Sequence, residues 1–134
     1  MNLFVDTSVW SLALRRDVPA ARPEVAFLGD ALEAGESIFT TGLVLQELLP
    51  GFRGPKARAA IVERFGLLPL LVPDREDHIQ AAALHGACRR KGLQVTTIDV
   101  LLAQLCLRHG MTLLTTDADF RRIAAIRPLS VWRR

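Results

Sequence analysis

Short apolar runs alternate along the chain with longer stretches whose apolar positions recur at helical spacing. That alternation predicts strands and helices wound into a parallel α/β sheet. Asn2 to Val5 reads as the first strand, and Thr7 to Arg16 as a helix capped by Asp6 or Thr7. Pro19 and Pro23 break the chain before a second helix over Glu24 to Ala34, which Gly35 ends. Ser37 to Thr40 predicts a second strand, and Gly42 to Leu49 a helix stopped by Pro50 and Gly51. The turn-rich stretch GFRGPKAR leads into a helix over about Pro55 to Phe65. Leu67 to Val72 reads as a third strand, and Asp74 to Lys91 as a long helix with Gly92 as its stop. A helix opening at Thr97 or Asp99 runs to His109 and ends at Gly110. The strand Thr112 to Thr115, the short helix Asp117 to Ala125 and the strand Leu129 to Trp132 complete the chain. With no repeat, low-complexity tract or linker, residues 1–134 read as one domain.

Four acids interrupt this pattern where a fold of this kind has no need of them. Asp6 directly follows the apolar run NLFV, and Glu47 lies inside GLVLQELL. Asp99 opens IDVLLAQLCL, and Asp117 follows TLLTT. A carboxylate beside a hydrophobic element is costly to desolvate unless it is paired or binds a metal. In a parallel sheet the strand ends share one edge, and ligand sites form there where strand order reverses. Asp6 and Asp117 follow strands, Asp99 starts a helix leading back to that edge, and Glu47 has the reach to join them. Asp119 is a further candidate ligand or orienting group.

Clustered carboxylates repel until a cation binds, and oxygen ligands favour Mg²⁺ or Mn²⁺. One or two such ions acidify a bound water and neutralise a phosphoryl oxygen, which fits phosphodiester hydrolysis. Thr7, Ser8, Thr115 and Thr116 are hydroxyl donors beside the acids, suited to orienting carboxylates or water. No Ser/His/Asp or Cys/His set is evident, and no glycine-rich dinucleotide turn follows the first strand.

Charge adds a substrate class. The chain carries 17 basic and 14 acidic residues, so setting the four site acids against metal leaves a distinctly positive remainder. A basic exterior around an anionic pocket suits a polyanion held by metal. Arg53, Lys56 and Arg58, on the glycine-bearing loop and the helix start after it, are candidates to grip RNA phosphate, against the plainer reading of a solvated turn. Cys88 and Cys106 lie in apolar helical context and read as buried thiols. The N-terminus has no signal-peptide pattern and no apolar run reaches membrane-span length, which points to a cytoplasmic protein.

FVDTSVW with Asp6, LQELLPGF with Glu47, IDVLLAQLCLRHG with Asp99, and LLTTDADF with Asp117 and Asp119, in that order, resemble the PIN-domain ribonucleases, specifically VapC-type toxins of bacterial toxin–antitoxin pairs. The resemblance covers nearly the whole chain. It implies a three-layer α/β/α sandwich around a mainly parallel sheet of about five strands. It further implies a metal-dependent endoribonuclease acting on transfer RNA or other structured RNA, with Asp6, Glu47, Asp99 and Asp117 as catalytic and metal-binding acids. The implied partners are a VapB-type antitoxin and a second copy of the chain. Against it stand a catalytically silent RNA- or protein-binding module of the same fold, and a phosphohydrolase using Asp6 as nucleophile. The latter would want a second Asp where Ser8 stands.

Overall fold

A computed structural model describes residues 1–15 and 22–134. β1 (Asn2–Val5) leads into α1 (Thr7–Leu14), and α2 (Pro23–Glu33) returns to β2 (Ser37–Phe39). α3 (Gly42–Leu48) runs into a 3₁₀ turn (Leu49–Gly51), followed by α4 (Pro55–Phe65) and the paired helices α5 (Arg75–Arg90) and α6 (Thr97–His109). β3 (Thr112–Leu114), α7 (Asp119–Ala124) and β4 (Ser130–Val131) close the fold. The expected end of the first helix at Arg16, and the break at Pro19, lie outside the described residues.

All strand pairs are parallel, in the order β2-β1-β3-β4. Chain order therefore reverses between β1 and β3, whose register pairs Leu3 with Thr112 and Val5 with Leu114. The ladder continues past both strands, because Asp6 N–H donates to the Leu114 carbonyl at 2.9 Å. β1 leads to β2 on one side and β2 to β3 across it, so right-handed crossovers put α1 and α2 on the opposite face from α6. Leu3, Phe4, Val5, Leu113 and Leu114 are fully buried between those layers. α6 is buried nearly all round, with Val100 to Ala103, Leu105 and Cys106 in the core. The run Val100-Leu101-Leu102 is thus core packing.

Local signals set the element ends. Pro23 and Pro55 occupy first helical turns, where no N–H is required. Asp74 and Asp77 form a reciprocal capping box that starts α5. Gly110 ends α6 at φ 63°, a left-handed conformation that costs glycine nothing.

The expected strand over Leu67 to Val72 is not formed. It shrinks to a single bridge, in which Thr40 N–H donates to the Pro69 carbonyl at 3.1 Å and Leu71 N–H to the Thr40 carbonyl at 2.7 Å. Pro69 and Pro73 lack the N–H groups a longer ladder would use. The last helix begins at Asp119, two residues later than expected. Asp117 is held in the turn before it, accepting the Asp119 N–H on Oδ1 at 2.9 Å. Among the described residues no helix is long and apolar enough to cross a membrane.

Candidate active site

The turns after β1 and β3 are stitched together by hydroxyls. Asp6 occupies the N-cap position of α1, yet its side chain caps nothing. Its Oδ2 instead accepts from Ser8 Oγ at 2.9 Å and from Thr115 Oγ1 at 2.8 Å. Both Asp6 and Thr115 are buried, at 7% and 1% exposure, so these bonds substitute for water around the carboxylate. Thr115 Oγ1 also accepts the Asp117 N–H at 3.0 Å, and Ser8 Oγ accepts the Thr116 N–H at 3.1 Å. One small polar cluster therefore fixes Asp6 and Asp117 relative to each other. Thr116 takes part through its backbone, not its hydroxyl.

Asp99 does two jobs. Thr96 caps α6 and accepts the Asp99 N–H at 3.1 Å, while Asp99 Oδ2 accepts the Thr96 N–H at 3.3 Å. The capping box fixes the carboxylate at the helix start. Carboxylate oxygens of Asp99, Asp117 and Asp119 lie within 4.8 Å of one another. Asp119 additionally accepts from Arg122 Nη1 at 2.6 Å. Glu47 projects from α3 and accepts from Thr7 Oγ1 at 3.0 Å.

Electrostatics ties the outlying acids to this group. Burial raises the proton affinity of Asp99, partly offset by the Thr96 bonds, and the charges of Asp117 and Asp6 raise it further. Burial likewise raises that of Glu47 against the Thr7 bond, with Asp6 and Asp99 adding to it. Burial also pushes up the Cys106 thiol, with the Asp6 charge adding to the effect, so it stays a neutral neighbour. Asp99, Asp117 and Asp119 thus form the tightest group, and Asp6 and Glu47 stand within electrostatic reach of it. Asp99, Asp117 and Asp119 offer a clustered carboxylate donor set that suits a hard divalent cation.

Arg53, Lys56 and Arg58 lie on the exposed segment between the 3₁₀ turn and the first turns of α4, and none is paired to an acid among the described residues. A buried charge between two helices escaped the sequence reading. Asp77, only 1% exposed, accepts from Arg108 and from Gln104 Nε2 across the α5–α6 interface, and Arg108 also reaches Asp74 at 3.2 Å. Burial pushes the Asp77 carboxyl upward, but the Asp74 N–H, Gln104 and Arg108 outweigh it and hold it below its ordinary value. The i, i+4 spacing of Gln104 and Arg108 was visible; their partner on another helix was not. The second missed feature is Arg122, whose i, i+3 spacing from Asp119 was the available signal.

Residues 3–126 match the PIN domain family. The chain is 33% identical to ribonuclease VapC11 of Mycobacterium tuberculosis over 126 residues, covering 92% of each chain. It is 30% identical to ribonuclease VapC23 of the same organism, covering 85% of this chain and 90% of that one. In fold it resembles VapBC2 from Rickettsia felis, solved bound to a DNA fragment from its promoter, with a TM-score of 0.77 and 18% identity over 98% of both chains. A family match over residues 3–126 and one-third identity to VapC11 across nearly the whole of both chains place the protein in the PIN-domain family, among the VapC ribonucleases.

Proposed function

We propose that this chain is a metal-dependent endoribonuclease acting as the toxin of a toxin–antitoxin pair, with residues 1–134 forming one nuclease domain. The observation that carries this reading is the convergence of Asp99, Asp117 and Asp119, with Asp6 tied to the Asp117 turn through Thr115, at the β1/β3 crevice. Asp6, Glu47, Asp99 and Asp117 are the proposed catalytic acids. They would hold one or two divalent ions, Mg²⁺ or Mn²⁺, with Asp119 as a further ligand. When bound, those ions supply charge neutralisation at the phosphoryl group and acidify water. The protein's own share is positioning. Ser8 and Thr115 fix Asp6, Thr7 fixes Glu47, and the Thr96 cap fixes Asp99.

The substrate class is structured RNA such as transfer RNA, in keeping with the ribonuclease relatives and the excess of basic residues. Arg53, Lys56 and Arg58 contact phosphate at the rim. The protein partners are a cognate VapB-type antitoxin and a second copy of the chain, in the cytoplasm. Incubating the purified protein with transfer RNA and Mg²⁺ or Mn²⁺, beside an Asp6→Asn variant, tests the reading. Metal-dependent cutting by the wild type alone is expected. Equal cutting by both proteins, or cutting that survives EDTA, would sink it.

A further inference from the structure

A groove of about 750 Å³ opens between the α5–α6 turn and α7, within the size range of ligand sites. Lys91 and Gln94 line one wall, Asp119 and Arg122 the other. Asp119 therefore belongs to two places at once. It lies within 4.8 Å of Asp99 and Asp117, and it borders the groove. Its charge is matched by Arg122, whose Nη1 sits 2.6 Å from Asp119 Oδ1.

The aspartate pairs of Arg108, at the opposite end of the α5–α6 hairpin, and of Arg122, beside the groove, differ in how firmly they hold. Arg108 serves Asp77, a carboxylate 1% exposed that would be stranded without it. Arg122 is 62% exposed and Asp119 31%, so their pair is solvent-screened and yields to a competitor. A divalent ion among the acids is such a competitor, since it takes the Asp119 charge that Arg122 now balances. A released guanidinium beside Lys91 offers a planar fork for phosphate.

We propose that Arg122 is a substrate-binding residue that shields Asp119 in the metal-free protein. Once a divalent ion occupies the acids, it turns into the groove with Lys91 to hold a phosphate of the RNA strand. This rests on the endoribonuclease reading. It makes metal and RNA binding cooperative: the cation that completes the site also frees the clamp for its substrate.

Arg122→Gln separates the two roles, with Arg75→Gln as a control of equal charge change at the exposed far end of α5. Mn²⁺ binding to metal-free protein is measured by calorimetry. RNA binding is measured by anisotropy of a fluorescein-labelled RNA stem-loop in Ca²⁺, with the RNA checked intact on a gel. Arg122→Gln is expected to bind Mn²⁺ about two- to fivefold more tightly, because a competitor worth a surface ion pair is gone. It is expected to bind RNA about tenfold more weakly, with the salt slope reduced by about 0.7 to 0.9, the value of one phosphate contact. An Asp119→Asn variant, assayed in EDTA, should bind RNA more tightly than wild type, and that gain should vanish when Arg122→Gln is added. If Arg122→Gln matches Arg75→Gln in either affinity, or the Asp119→Asn gain persists without Arg122, the proposal is overturned while wild-type cleavage keeps the ribonuclease reading. Wild-type protein that cuts no RNA overturns the ribonuclease reading itself.

Discussion

Replacing Asp99 by asparagine should stabilise the metal-free protein while removing its response to metal. In the wild type, Asp99 and Asp117 oxygens lie within 4.8 Å of each other. Two unit charges at that separation repel by about 0.9 kcal/mol at the dielectric of water and about 3.5 kcal/mol at an effective value of 20. Asp99 is half-buried and solvent screens it, so the lower end applies and relief of about 1 kcal/mol is expected. The cap survives, because an asparagine oxygen can still accept the Thr96 N–H, and the Thr96 hydroxyl still receives the residue-99 N–H. For a chain of this length that relief raises Tm by about 4 °C. Thermal unfolding in EDTA and in saturating Mg²⁺ measures both halves. In EDTA the variant should melt above the wild type. In Mg²⁺ at a hundredfold excess over its Kd, the wild type gains about 2.7 kcal/mol by mass action and overtakes it. A variant less stable than wild type in EDTA, or one with an equal Mg²⁺-induced shift, would refute the reasoning.

Thr115→Val removes a bond to the buried Asp6 carboxylate and strands the Asp117 N–H, costing about 2 kcal/mol by urea unfolding and most of the cleavage rate; Thr115→Ser should restore both. Arg108→Met leaves Asp77 buried without its cation and should cost about 3 kcal/mol, whereas the double change Asp77→Leu with Arg108→Met should cost clearly less in the same assay. Asp99 and Glu47 have folded-state proton affinities above their ordinary values of 3.8 and 4.5, so the folded chain holds protons that the unfolded chain releases. Their contribution to metal-free stability should therefore fall as pH rises from those ordinary values through the raised ones; comparing wild type with an Asp99→Asn, Glu47→Gln variant isolates it, and saturating Mg²⁺ at the upper end of the range should offset it. Asp77, held low, works the other way: its contribution is present above its ordinary 3.8 and is lost as pH falls below that, so Asp77→Asn should flatten the acid limb of the Tm profile.

Much of this arrangement follows from local rules. The apolar runs around Phe4 and Leu113 have room for little but strands, and parallel strands put the residues after them at one edge. That is why the positions of Asp6 and Asp117 could be read from the chain. Asp99 was legible as a residue at a helix start; the structure makes it the N3 partner of the Thr96 cap and sets its carboxylate within 4.8 Å of Asp117 and Asp119. What escaped was whatever needed a partner distant in sequence. Asp77 meets Arg108 from 31 residues away, and Ser8 meets Thr115 across 107. The strand expected over Leu67 to Val72 failed for a reason already written there. Its apolar run carries Pro69 and abuts Pro73, and the hydrophobic pattern outweighed that warning.

Those two prolines bear on how copies of the chain meet. Beyond β2 the sheet offers one bridge at Leu70, and at the other edge β4 itself has only two residues. Among the described residues both sheet edges are short, which leaves little for a neighbouring molecule to extend as a further strand. Leu70 and Val72 are exposed beside that margin, so the apolar surface there is open to side-chain contact while the backbone ladder is closed. Any contact between copies at that margin would therefore run through side-chain packing, which forms discrete pairs, rather than edge-to-edge strand stacking, which propagates.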